Sequence, residues 1–179
     1  MNVELMLLTV LQGLRTQILD AGMLFFTHLG DAGFIWAALT AVLLVFRRTR
    51  RVGCVLAAAL LVDAVLCNLI LKPLVARIRP CDILADVQLL ISLPDDFSFP
   101  SGHTAASFAS VTALWLAGKK QWAFAALPLG VLIAFSRMYL FVHYPTDIIG
   151  GVLVGVGCGW IGAKLVEMFW QKNFAKSDL

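Results

Sequence analysis

Residues 136–147 read Ser-Arg-Met-Tyr-Leu-Phe-Val-His-Tyr-Pro-Thr-Asp and set an arginine, a histidine and an aspartate where two apolar runs meet. Pro145 suits the first turn of a helix, where its missing N–H costs nothing and its φ already fits. Asp147 then lies in that first turn, where the backbone dipole favours an anion. From there its carboxylate can hold one ring nitrogen of His143, fixing the tautomer and leaving the other nitrogen free as a nucleophile or general base. Arg137, at the end of the preceding helix, can aim a planar fork of donors at the same spot.

Two more stretches carry matching chemistry. Lys72 and Arg79-Pro80 close one apolar run, and Pro100-Ser101-Gly102-His103 opens another. Ser101 suits a helix N-cap and Gly102 allows a ligand close to the backbone, so the first N–H groups of that helix can face an anion. His103, beside that anion and outside the His143–Asp147 pair, suits a general acid that protonates a leaving oxygen. Lys72, Arg79 and Arg137 crowded at one membrane face would repel one another unless they surround a dianion such as phosphate.

Apolar helices must position these residues. The chain has 179 residues, 60% of them hydrophobic and 14% charged, with a mean hydropathy of +0.88. A soluble domain of this length would carry more surface charge, so the composition predicts an all-α, integral membrane helical bundle. About five spans are expected, at 23–46 (bent at Gly30 and Gly33), 52–71, 100–117, 122–142 and 145–170. In residues 1–20, Thr9, Gln12, Gly13, Thr16, Gln17 and Asp20 recur at helical spacing opposite Leu5, Leu8, Leu11, Leu14 and Ile18. That pattern predicts an amphipathic interfacial helix. Residues 21–170 are the expected transmembrane unit and 171–179 a cytoplasmic tail.

Charge placement orients the bundle. Arg47, Arg48, Arg50, Arg51, Lys119, Lys120, Lys172 and Lys176 fall on one side of a five-span arrangement, which the positive-inside rule makes cytoplasmic. The three chemical stretches and the amino terminus are then expected outside the cell membrane. No basic segment precedes the first apolar run, so no cleavable signal peptide is predicted. The net charge of +3 is too small to suggest nucleic acid, and there is no basic stripe, so no nucleic-acid partner is expected. Cys54, Cys67, Cys81 and Cys158 lack paired spacing and fit small core residues. Asp82, Asp86, Asp95 and Asp96 form no partner set suited to Mg²⁺, so neither metal nor cofactor is expected.

The combination Lys72-x6-Arg79-Pro80, Pro100-Ser101-Gly102-His103 and Ser136-Arg137-x5-His143-x3-Asp147 resembles the three-part signature of the type 2 phosphatidic acid phosphatase family. That family shares its active-site framework with the vanadium haloperoxidases. The resemblance covers roughly residues 20–170, and three motifs in register are far more specific than any one of them. It implies a metal-independent lipid phosphatase acting at the outer leaflet, on an undecaprenyl diphosphate or phosphatidylglycerophosphate type of substrate. Carried over, His143 resembles the nucleophile that becomes a phosphohistidine and Asp147 the group that orients it. His103 resembles the acid for the leaving group and then the base for water. Lys72, Arg79, Arg137, Ser101 and the Gly102 N–H resemble the phosphate-binding set. Many relatives carry a further amino-terminal span that this chain lacks by its pattern.

Other uses of the same residues compete. Lys72 and Arg79 alone would suit interfacial anchors, and a non-catalytic lipid-binding protein would predict gaps in the catalytic set. His28 is expected to be structural, and Asp63 and Asn68 to form interhelical hydrogen bonds, with Asn68 supporting Lys72. Gly150, Gly151, Gly155, Gly157, Gly159 and Gly162 fit close helix packing, within the bundle or across a homodimer. The apolar residues of the 81–99 loop are expected to lie at the surface as a wall or lid over the lipid opening.

Overall fold

The structure, a computed structural model, describes residues 3–84 and 87–174; Asp86, Lys176 and residues 175–179 of the expected tail lie outside these. The first helix, α1, covers Val3–Gly13. The chain breaks after it, and the Thr16 hydroxyl accepts a hydrogen bond from the Leu19 N–H at 3.3 Å to cap α2, Gln17–Gly30. Residues 17–20 therefore belong to the first long helix and not, as the polar spacing predicted, to the amphipathic segment. A single turn of 3₁₀-helix, Asp31–Gly33, bends the path into α3, Phe34–Val45, where the two glycines predicted a bend.

The chain returns through α4, Arg50–Asp63, which runs on through a π-helical segment, Ala64–Leu71, into α5, Lys72–Val75. A short α6, Pro80–Ile83, opens the loop that leads to α7, Gly102–Leu116. Helices α8, Lys120–Tyr139, and α9, Pro145–Phe174, complete the bundle. Among the described residues there is no strand.

Four stretches are long and apolar enough to cross a membrane: Gln17–Val45, Arg50–Ile83, Lys120–Tyr139 and Pro145–Lys172. Helix α7 is shorter than the predicted 100–117 span. Its 15 residues cover about 22 Å at 1.5 Å per residue, against a hydrocarbon core of roughly 30 Å. Packing explains this, because α7 is the central helix, set among α4, α8 and α9. With protein on several sides its length need not match the lipid, and its buried faces are small: Ala105, Ala109, Ala113, Ser107 and Ser110.

Small residues set these distances. A Cβ on Gly155 would meet the Ala105 carbonyl oxygen at 2.3 Å, and one on Gly162 would meet the Ala59 N at 2.5 Å. Gly151 and Gly159 face α7 in the same way, Gly150 faces Phe99, and Gly157 faces open space. Large side chains such as Leu61, Leu69, Leu153 and Met168 point outward, as lipid-facing positions do. At one end of the bundle Leu5, Leu8, Met23, Cys81, Tyr139, Leu140, Phe141, Val142 and Tyr144 make a cluster against which Val87, Leu89, Leu90 and Ile91 of the loop pack.

Candidate active site

Three turns at that end carry the chemical side chains, and each uses a backbone conformation that L-residues seldom adopt. Phe141 has φ 62° in the turn between α8 and α9, which delivers His143. A bulky residue there is strained, and its complete burial with Val142 holds the turn in place. Ala76, φ 48°, ends α5 and turns the chain toward Arg77 and Arg79. Ala32, φ 49°, and Gly33, φ 69°, form the bend that presents Asp31.

Lys72, Arg79, Gly102, His103, Arg137 and His143 line one cavity of about 620 Å³. Lys72, Arg79 and Arg137 are all buried, so their convergence demands anionic company. Asp96, from the loop before α7, supplies part of it. Its carboxylate bridges the Lys72 ammonium and the Arg79 guanidinium, the latter at 2.5 Å. Burial would raise the Asp96 pKa, but these two cations pull it down to about 2. Arg79 also donates to the backbone oxygens of Asp96 at 2.8 Å and Val142 at 2.7 Å. Arg137 donates to the Thr27 hydroxyl at 2.5 Å, while its buried Nε has no hydrogen-bond partner. An unpaired buried guanidinium nitrogen beside two more cations fits an acceptor-rich ligand.

His143 is 1% exposed. Its Nε2 lies 3.3 Å from Arg79 Nη1, and its Nδ1 lies 3.4 Å from Asp147 Oδ2. The second distance is within ion-pair reach but makes no hydrogen bond, and Nδ1 has no other partner. Asp147 Oδ2 is occupied instead by the Ser98 hydroxyl and by the Tyr144 N–H at 2.9 Å. Asp147 does start α9 in the predicted first turn. Burial pushes the His143 pKa down to about 3, so the imidazole is neutral at neutral pH, as a nucleophilic nitrogen must be.

His103 stands outside the His143–Asp147 pair but meets a carboxylate of its own. Its Nε2 lies 2.9 Å from Asp31 Oδ1, and Asp31 Oδ2 lies 2.8 Å from Nδ1 of His28. The bend at Asp31–Gly33 brings this carboxylate in from α2, far away in sequence. What separates the two histidines is exposure: the Asp31 side chain is 52% exposed and the Asp147 side chain is fully buried. His28 lines the cavity mouth.

Ser101 stands at the N-cap position of α7 without a side-chain cap bond. Its buried hydroxyl accepts from Thr104 at 3.0 Å, and its N–H donates to the Asp147 carbonyl at 3.1 Å, which ties α7 to α9. It does not line the cavity. Gly102 does, and a Cβ there would lie 3.2 Å from Asn68 Oδ1 and 3.8 Å from Lys72 Nζ. Asp63 lines the same cavity with Oδ1 unpaired, contrary to the interhelical bond expected of it. Asp31, Ser98 and Arg77 carry no expectation from the sequence, and Asp96 is weighed there only as a metal ligand. Only Asp31 had a visible signal, a carboxylate set beside two glycines at a predicted bend.

Comparison with known proteins meets this geometry from another direction. The family model of the PAP2 superfamily matches residues 51–171. An undecaprenyl-diphosphatase of Sulfolobus acidocaldarius is 34% identical over 168 residues, covering 93% of this chain and 78% of that one. The crystal structure of Aquifex aeolicus LpxE superposes with a TM-score of 0.78 at 32% identity, over 92% of this chain and 96% of that chain. A transmembrane PAP2 type phosphatidylglycerolphosphate phosphatase from Bacillus subtilis gives a TM-score of 0.74 at 27% identity, over 95% and 85%. With a match across most of its length, and with phosphatases as its relatives, the chain belongs to the PAP2 superfamily.

Proposed function

We propose that this membrane phosphatase removes the terminal phosphate of a lipid phosphomonoester or diphosphate, of the undecaprenyl diphosphate or phosphatidylglycerophosphate type, through a phosphohistidine. The observation that carries this reading is the single cavity lined by Lys72, Arg79, Arg137, His103 and His143. Next to it, a groove shares Lys72, Arg79 and Asp96, carries Arg77, Asp82 and Asp95, and adds Leu69, Pro73, Ile78 and Phe97, whose apolar surface suits the start of a lipid chain. The relatives named for undecaprenyl diphosphate and for phosphatidylglycerophosphate supply the two substrate types.

Lys72, Arg79 and Arg137 take the phosphate oxygens, Asp96 yielding its place on the first two, with the backbone at Gly102 alongside. Ser101 acts as the anchor of the α7 end. Neutral His143 attacks phosphorus through Nε2, and Asp147 closes on Nδ1 as positive charge develops on the ring. The phosphorus–oxygen bond to the leaving group breaks, and His103 gives its proton to that oxygen. Water then attacks the phosphohistidine, His103 takes its proton, and the phosphorus–nitrogen electrons return to the imidazole. Phosphoryl transfer asks mainly for positioning and charge stabilisation, which this set provides without a metal.

The extracytoplasmic placement of the site rests on charge. Arg51, Gly118 and Lys164 line one pocket, and Arg51 sits 5.9 Å over Trp170. The basic connectors thus gather at the end of the bundle away from His143, as a cytoplasmic face requires. The test is phosphate release from a panel of lipid phosphates by detergent-purified protein in EDTA. Release from at least one long-chain lipid phosphate is expected, falling at least about 10³-fold in His143→Ala. Equal release by that variant, or loss of release in EDTA, would contradict the reading.

A further inference from the structure

Asp147 carries more than the His143 pairing. Its Oδ1 accepts from Arg77 Nη1 at 2.5 Å. The other nitrogen of that fork, Nη2, donates to Glu4 Oε2 of α1 at 2.7 Å. Glu4 Oε1 in turn accepts from the Thr146 N–H at 3.0 Å and the Thr146 hydroxyl at 2.7 Å. Arg77 Nη1 also reaches the Thr146 hydroxyl at 2.6 Å, and the guanidinium lies 3.9 Å over the Tyr144 ring. Burial opposes ionisation of Glu4, yet Thr146 and Arg77 hold its pKa below the usual range. The first helix, outside the residues that the family model matches, is thereby joined to the carboxylate behind His143.

Resting on the reading of His143 as the attacking group, we propose that Glu4 and Arg77 are positioning residues that set the place and charge of Asp147. A planar fork is suited to this, since it fixes two carboxylates in one plane, which a lysine cannot do. Arg77 lines the neighbouring groove and not the catalytic cavity, and its fork is taken up by Asp147, Glu4 and Thr146, so on this proposal it acts through Asp147 and not on the phosphate. The two residues have opposite electrostatic effects. Arg77 offsets the charge that Asp147 presents to His143, and Glu4 offsets Arg77. The other charged groups facing His143 are Arg79 and Arg137, with Asp96 on the far side of Arg79; none of these changes in the variants below.

The test is kcat and KM against pH for Arg77→Gln and Glu4→Gln in the purified full chain, with inhibition by inorganic phosphate and the thermal midpoint measured alongside. Arg77→Gln should lower kcat by about tenfold to a hundredfold, with phosphate inhibition unchanged. With Asp147 no longer offset, His143 holds its proton more tightly, so the acidic limb of kcat moves to higher pH by about half a unit. Glu4→Gln should move that limb to lower pH. Should Arg77→Gln not fold, Arg77→Lys, which keeps the charge but loses the fork, should show the kcat loss with phosphate inhibition unchanged. Wild-type kcat in all variants, or a loss that follows folded protein with an unmoved limb, would overturn the proposal. Full turnover by His143→Ala would instead remove the reading it stands on.

Discussion

His143 and His103 each face a carboxylate, but only one of those carboxylates meets water. Asp147 is buried and already holds Ser98, Tyr144 and Arg77, whereas Asp31 sits half-exposed between His103 and His28. A nucleophile needs an unprotonated ring in a dry, fixed place; an acid that becomes a base must exchange protons with solvent. On the proposed mechanism, the more exposed Asp31 serves the proton-exchanging role. Burial holds His143 far below an ordinary histidine pKa, so in the free enzyme its ring should not titrate between about pH 5 and pH 8. Carbon-labelled histidine followed by NMR, with the His28 and His103 signals assigned by substitution, reads this directly. A midpoint for His143 near the ordinary histidine value would contradict it.

At the scale of elements, α7 and α9 set the site by how closely they pass. Gly155 sits against the Ala105 carbonyl, and Ser101 and Asp147 are joined through the backbone. Gly155→Val should therefore push the helices apart and destabilise the protein by about 1–3 kcal/mol, seen as a lower thermal midpoint in detergent. Gly157→Ala, where nothing lies within 4 Å, should leave the midpoint unchanged or raised. The long helices were legible as apolar runs, and the three motifs fell at their ends because charged residues are tolerated only there. Helix α7 was harder to delimit, since Ala, Ser and Thr on a protein-enclosed helix carry no lipid signal. The roles of Asp31, Asp96 and Arg77 were not legible: each depends on which distant turn it meets, and spacing along one chain does not encode that.

For the molecule as a whole, the four long apolar stretches and the basic residues at one end describe a multi-pass membrane protein with a polar cavity at the other. Three buried cations gathered there, two of them already bridged by Asp96, suit an anionic ligand, and a groove opens beside them. The central claim is that the phosphoryl group passes through Nε2 of His143. Rapid acid-free quenching of turnover on a radiophosphate-labelled lipid substrate tests it most directly. The wild-type protein should carry label that is stable in alkali, lost in acid and mapped to the peptide holding His143, with none on His143→Ala. Label persisting on that variant, or turnover with no protein-bound phosphate, would contradict the account.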